Sequence, residues 1–226
     1  MFADRTDAGQ RLGAKLRELF GDGYSGDEIV VLALPRGGVP VAYHVAKALG
    51  SSLDVFVVRK LGAPQQPELA MGAIASGGVR VINDEVVRAL RITPGQIAEA
   101  SEREERELER RERAYRGNRA PADIEGRFIL LVDDGVATGY TMRAAVAALR
   151  ERAPTQIIIA VPVAAKDTFE ELKRYADAIV CLFTPHDFAA VGQWYRHFDQ
   201  TSDEEVRLLL ERAAEANRPS QSASGS

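Results

Sequence analysis

The 226-residue chain is short of several kinds of residue, and each shortage removes a class of protein. It has a single cysteine, Cys181. That excludes an internal disulfide framework and a cysteine-based zinc site. No apolar run approaches the roughly 18 residues of a membrane-spanning helix, and residues 1–20 lack the pattern of a secretory signal. The expectation is a cytoplasmic protein with no membrane partner. Basic residues are not in excess either: 29 Lys and Arg stand against 33 Asp and Glu, a formal net charge of −4. Without a basic footprint, nucleic acid is not the expected partner. What remains is ordinary globular composition, 46% hydrophobic and 27% charged, in a chain long enough to bury a full core. No internal repeat recurs at a fixed period.

The chain is organised around residues 128–141, FILLVDDGVATGYT. Its first five residues are a short, continuous apolar run, which reads as a strand buried on both faces. Asp133 and Asp134 follow where that strand would end. Gly135, Val136, Ala137, Thr138, Gly139, Tyr140 and Thr141 come next, and an Ala-rich helical pattern runs on to Arg150. Ligands of open α/β sheets bind outside the carboxyl ends of strands, so this turn is placed for chemistry. Gly135 and Gly139 let the backbone bend and approach a ligand closely. The amides of the following helix start unpaired and its dipole favours negative charge, so a phosphate suits the glycine–threonine end. The hydroxyls of Thr138 and Thr141 add donors. The two aspartates are acceptors that suit hydroxyl groups, such as a ribose diol, or a metal. A sugar phosphate satisfies both halves. A plain helix N-cap would need one Asp, without the second acid, the glycines and the threonines.

VDDGVATGYT resembles the signature of the type I phosphoribosyltransferases, which bind 5-phosphoribosyl 1-pyrophosphate. The family pattern of apolar strand, two acids, Thr-Gly and a later Thr or Ser matches throughout. The resemblance implies that Asp133 and Asp134 hold the ribose hydroxyls and that residues 137–141 wrap the 5-phosphate. It covers about residues 28–185. In the family's 6-oxopurine enzymes the residue before Thr-Gly is usually an acid placed to interact with the purine N7. Here it is Ala137, a departure that turns the expectation away from hypoxanthine, guanine and xanthine.

Three further stretches are read beside this motif. Residues 28–34 form a first strand that runs into Pro35, Arg36, Gly37 and Gly38 and then a helix. This turn offers a second anion site or is a plain βα turn with an exposed Arg; it is neither a dinucleotide fingerprint nor a P-loop. It is similar to the family's pyrophosphate-gripping turn, which gives Arg36, Gly37 and Gly38 to the substrate. Residues 53–58 read as a second strand ending in Arg59 and Lys60, two cations that suit a polyanion or are a solvated basic pair; the resemblance gives them the same pyrophosphate. Residues 61–83 are punctuated by glycine and proline. They read as a long loop leading into a hairpin turned at Ser76, Gly77 and Gly78, in the position of the family's mobile lid.

The rest of the chain is scaffold and hood. A first helix spans residues 7–20, stopped by Gly21 and Gly23. A long charged helix starts at Thr93-Pro94 and runs to about Tyr115, solvated and stitched by i,i+4 pairs. Strands at 156–161 and 178–182 and a helix at 166–175 continue the βαβ pattern. Residues 183–198 are dense in aromatics and occupy the place of the family's acceptor-binding hood. Phe188, Trp194 and Tyr195 are the candidates to stack on a flat nitrogenous ring, or else they build the hood's own core. His186 and His197 read as structural or surface residues, and Glu68 and Asp187 are candidate general bases. A closing helix starts at Ser202, and residues 217–226 read as a Ser-rich disordered tail.

The expectation is therefore an α/β protein: a single domain, residues 1–216, with a central parallel sheet flanked by helices. An inserted lid or hairpin lies at about 61–83 and a C-terminal hood at about 183–200. The resemblance implies a phosphoribosyltransferase of nucleotide metabolism that moves the phosphoribosyl group to a small nitrogenous acceptor. Asp133, Asp134, Arg59 and Lys60 would be its catalytic residues. Mg²⁺ would arrive on the substrate pyrophosphate, since the sequence offers no dedicated metal cage. A homo-oligomer is compatible with the sequence. Two alternatives share the same loop: a regulatory binder of phosphoribosyl pyrophosphate or a nucleotide, and a hydrolase acting on a phosphorylated ribose.

Overall fold

Three apolar runs form the middle of the sheet: β1 (Ile29–Ala33), β6 (Phe128–Val132) and β7 (Gln156–Val163). β2 (Ser52–Val55) and β8 (Ala178–Phe183) flank them, in the order β2-β1-β6-β7-β8 with every pair parallel. The structure, a computed structural model, describes residues 1–21, 24 and 26–217. The expected helix stop at Gly23 and all but the first residue of the expected tail lie outside the described residues.

Alternate residues of each middle strand face opposite layers. Ile29, Val31, Leu130, Val132 and Ile158 pack with α1 (Arg5–Phe20), α2 (Gly38–Leu49) and α7 (Asp203–Ala216). Val30, Leu32, Ile129, Leu131 and Ile159 pack with α5 (Tyr140–Arg150) and with Leu172 of α6 (Lys166–Leu172). Strands buried on both faces need apolar side chains at every position, which is why these runs do not alternate in sequence.

The chain leaves β1 toward β2 on one side, while β6 continues to β7 and β8 on the other. The topological switch point is thus between β1 and β6. Their register sets Ala33 opposite Val132, so the turns that follow the two strands emerge side by side. This places residues 34–38 against residues 133–139, at the edge where α/β sheets bind ligands.

Residues 53–83 differ from expectation. The stretch 53–58, apolar except for Asp54, feeds two strands. β2 ends at Val55 and a separate strand, β3 (Val58–Ala63), begins three residues later. β3 pairs antiparallel with β4 (Gln66–Ala75), and β4 with β5 (Val79–Ile82), making a second, three-stranded sheet. The expected long loop is therefore largely strand. Glycine and proline misled the reading because Pro67 lies in the exposed first part of β4 and Gly62 lies at a register shift, two places where a ladder tolerates them. The base of this sheet is core: Leu61, Met71 and Ile74 are fully buried. The turn at Ser76, Gly77 and Gly78 is as expected, with φ of 85° and 75° at its two glycines.

A short helix, α3 (Asp84–Ala89), follows on an Asn83 cap. The long helix α4 (Pro94–Arg116) opens on a Thr93–Gln96 capping box. It is not wholly solvated. Its last residue, Arg116, is buried and donates from Nε to Asp54 of β2 at 2.8 Å, and from Nη1 to Glu112 at 3.1 Å. That network fastens the charged helix to the sheet.

Candidate functional site

Where β1 and β6 end, the amide of Leu34 donates to the Val132 carbonyl at 2.9 Å, and the two turns stay in contact beyond it. A Cβ added to Gly37 would stand 2.1 Å from Asp134 Oδ2. One added to Gly38 would stand 2.8 Å from the Val132 carbonyl oxygen and 2.9 Å from Asp133 Cα. The glycine pair is thus required by the approach of the acid pair. The Pro35–Arg36 peptide beside it is cis.

The acid pair is internally ordered. Asp133 Oδ1 accepts from the Asp134 amide at 2.8 Å. Asp134 Oδ2 accepts from Arg5 Nε at 2.8 Å, and the Asp134 carbonyl accepts from the Tyr195 hydroxyl at 2.5 Å. Burial pushes both carboxyls above the usual carboxylate range. The neighbouring charge of Asp134 adds to the rise at Asp133, and the Arg5 guanidinium opposes it at Asp134. Arg5 also donates from Nη1 to the Asp199 carbonyl at 2.6 Å and lies 3.9 Å from the centre of the Phe198 ring. One side chain from α1 therefore joins the acid pair to the hood.

The expected phosphate loop lies next along the chain. Val136 is buried and extends the sheet, its amide bonded to the Val163 carbonyl at 2.9 Å. Ala137, Thr138 and Thr141 are exposed. Among the described residues the amides of Ala137, Thr138 and Gly139 have no acceptor, and the first-turn amides of α5 add to them. Gly139 holds φ of 71° at the helix N-cap, a conformation suited to glycine. Thr168 of α6 donates from Oγ1 to the Ala137 carbonyl at 2.6 Å and braces the loop from behind. Tyr140 turns its side chain away to the second sheet, where its hydroxyl donates to the Gly72 carbonyl at 2.8 Å.

The expected cations are differently placed. Arg59 and Lys60 do not cap a strand of the main sheet; they are neighbours within β3. Successive strand residues point to opposite faces, so the two side chains diverge. Arg59 donates from Nη2 to Glu104 of α4 at 2.7 Å, and Lys60 donates to Glu68 of β4 at 3.2 Å. Arg36 Nη1 lies 3.5 Å from Asp203 at the start of α7.

In the hood, Tyr195 is 5% exposed, with its ring centre 5.3 Å from Phe2 and 4.9 Å from Phe198. Phe188 and Trp194 are partly buried against the same cluster. The Phe2 amide donates to the Trp194 carbonyl at 2.7 Å and the Arg196 amide to the Phe2 carbonyl at 2.9 Å, so residue 2 is built into the hood. His186 meets Lys166 at 3.1 Å at the surface. Among the described residues no cluster of three or more His, Cys, Asp or Glu could hold a metal.

The sequence reading missed Arg5, Thr168 and Arg143. Nothing local marks Arg5 or Thr168. Arg143 had a signal: it lies one turn into α5, and helical side chains lean toward the N-terminus. Its Nη1 reaches back to within 3.4 Å of the Thr138 carbonyl.

Two adjoining turns at a switch point, one with an acid pair and open amides, invite comparison with known proteins. Residues 3–193 match the phosphoribosyl transferase domain family. The chain belongs to that family. A Mycobacterium tuberculosis protein provisionally named a phosphoribosyl transferase is 48% identical over 213 residues, 94% of this chain and 47% of its own length. The chain thus spans about half the length of the curated relatives it matches. The crystal structure of TT1426 from Thermus thermophilus is similar at a TM-score of 0.83 and 42% identity, covering 94% of this chain and 98% of that one. The phosphoribosyl transferase domain here is a single α/β domain on a five-stranded parallel sheet. No helix among the described residues is long and apolar enough to cross a membrane.

Proposed function

We propose that the chain transfers the 5-phosphoribosyl group of phosphoribosyl pyrophosphate to a nitrogen acceptor. The observation that carries this reading is the loop after β6, where Asp133 and Asp134 stand beside the exposed amides and hydroxyls of residues 137–141. The C1–oxygen bond breaks and pyrophosphate leaves with the electron pair. The acceptor nitrogen bonds to C1 and gives up its proton to solvent or to the departing pyrophosphate. Charge builds at the sugar as in glycoside chemistry, with an oxocarbenium-like transition state.

In this reading Asp133 and Asp134 accept the ribose hydroxyls, and the loop amides with Thr138 and Thr141 hold the 5-phosphate. The Gly37–Gly38 turn and Arg36 take the pyrophosphate, which brings Mg²⁺ with it as part of the substrate. Arg59 and Lys60 lie opposite Ile74 and Ala73 at the base of the second sheet and diverge to opposite faces, so one of the two, not both, serves the same leaving group. Their present partners, Glu104 and Glu68, and Asp203 beside Arg36, would compete with the substrate. The Lys60–Glu68 and Arg36–Asp203 pairs are exposed and worth only about 0–1 kcal/mol each, so a polyanion displaces them at small cost, whereas Arg59–Glu104 is part-buried and resists more.

The acceptor follows from Ala137, which can neither take a proton nor hydrogen-bond through its side chain. An acceptor with an already nucleophilic nitrogen, adenine-like or a non-purine amine, should react better than an oxopurine. Phe188 and Trp194, which keep partial exposure, are better placed to stack on it than buried Tyr195. The test is a panel of acceptors at equal concentration with pyrophosphate release as readout. Efficient use of hypoxanthine or guanine would overturn the assignment at Ala137. Tight binding of phosphoribosyl pyrophosphate with no release for any acceptor would replace transfer by the regulatory-binder reading.

A further inference from the structure

The Asp134 carboxylate is gripped from two sides. A Cβ on Gly37 would stand 2.1 Å from its Oδ2, and Arg5 Nε donates to that same oxygen at 2.8 Å. The oxygen is wedged between a turn and a guanidinium, so the carboxylate cannot rotate without losing the ion pair. Arg5 is itself fixed, by the Asp199 carbonyl 2.6 Å from Nη1 and by the Phe198 ring against its guanidinium. The two side chains are only 12% and 13% exposed, a sheltered place where charge counts for more than at the surface. Among the described residues no other cation pairs with either acid. The placement does not serve α1, since Arg5 is its first residue, where the helix dipole favours an acid. It serves Asp134. Burial disfavours the charged form of that carboxyl, and the charge and hydrogen bond of Arg5 oppose the effect.

We propose that Arg5 is a positioning residue for sugar recognition, holding the Asp134 carboxylate in the orientation that accepts a ribose hydroxyl. This rests on the function proposed above and names the group that aims one of its diol acceptors. A carboxylate has about four acceptor positions, so the bond to Arg5 leaves room for a hydroxyl. A charged acceptor makes a hydrogen bond roughly twice as strong as a neutral one. Without Arg5, Asp134 is free to turn or to take a proton, and the hydroxyl loses that advantage. The phosphate end of the sugar, held by the loop, does not depend on Arg5.

Calorimetric titration of the full chain with two probes tests this. One is ribose 5-phosphate; the other is tetrahydrofurfuryl phosphate, which keeps the ring and the phosphate but lacks the hydroxyls. The ratio of the two affinities isolates the hydroxyl contacts. Wild type should favour ribose 5-phosphate by at least about tenfold, the size of one charge-assisted hydrogen bond. Arg5→Met should shrink the ratio roughly three- to tenfold, half the worth of such a bond, by weakening ribose 5-phosphate alone. Arg5→Lys, which keeps the charge but not the fork, should lie between it and wild type. A mere brace between α1 and the hood would lower the melting temperature, or both affinities together, and leave the ratio unchanged. An unchanged ratio in Arg5→Met therefore overturns the proposal. So does a larger one, which would make Arg5 a competitor of the sugar. If Arg5→Met does not fold, Arg5→Gln, which keeps a donor without the charge, takes its place and should also shrink the ratio. A wild type that binds both probes alike, or neither, would instead overturn the function proposed above, and this proposal with it.

Discussion

Replacing Gly38 by alanine should separate the roles of the two neighbouring glycines. The new Cβ would stand 2.8 Å from the Val132 carbonyl oxygen and 2.9 Å from Asp133 Cα, closer than the 3.0 Å that real Cβ atoms keep. Both are backbone atoms at the end of β6, and the Val132 carbonyl is bonded to the Leu34 amide at 2.9 Å. Neither can rotate away, so the ends of β1 and β6 must part. Such overpacking costs about 1–3 kcal/mol. At roughly 2–4 °C per kcal/mol for a chain of this size, the melting temperature should fall by about 2–12 °C. Gly37→Ala behaves differently, because its Cβ would meet a side chain, Asp134 Oδ2 at 2.1 Å. That carboxylate can turn aside only by giving up Arg5 Nε at 2.8 Å. It should lose affinity for phosphoribosyl pyrophosphate more than stability. Gly95→Ala is the control: its nearest neighbour is Thr93 Oγ1 at 4.0 Å, in the first turn of α4, and alanine should stabilise by about 0.5–1 kcal/mol. Thermal unfolding followed by circular dichroism, with titration calorimetry, reads all three. A Gly38→Ala protein that melts at or above wild type would refute the close-approach argument.

The remaining expectations concern the acids, the second sheet and the buried ion pair. Burial raises the Asp133 carboxyl above its ordinary value of 3.8, so the folded state loses stability as pH climbs from below that value through the raised pKa. Asp133→Asn should therefore gain stability over wild type at neutral pH, a gain that fades toward acid; urea unfolding at several pH values measures it, and a pH-independent difference rejects the linkage. Amide hydrogen exchange should find the exposed tip at residues 64–69 fast without ligand and slowed by phosphoribosyl pyrophosphate with Mg²⁺. Residues 71–75, at the buried base, should be slow in both states, and equal tip rates in both would rule out a lid. Arg116→Met leaves Asp54 and Glu112 without their partner and should cost about 3–5 kcal/mol in urea unfolding; a loss under about 1 kcal/mol would mark the pair as solvated.

The sequence alone determined the βαβ framework and its central motif. The apolar runs of β1, β6 and β7, each followed by a helical period and the first two by glycines, are signals between chain neighbours, so they survive without tertiary context. The acid pair and the Thr-Gly loop were legible for the same reason, being contiguous. The second sheet was not. β3 and β4 carry glycine and proline at tolerated positions, and only burial of Leu61, Met71 and Ile74 against the main core shows that the segment is strand. The facing of Arg59 and Lys60 depended on that assignment, because strand residues alternate where loop residues need not. Tertiary structure also decided who stands beside the acids. Arg5 reaches Asp134 across 129 residues of sequence, and Tyr195 reaches it across 61. Why Gly37 and Gly38 must be glycine follows from the register that sets Ala33 opposite Val132. Periodicity reports which face of an element is apolar; which faces, turns and charges then meet is set by the packing of elements far apart in the chain.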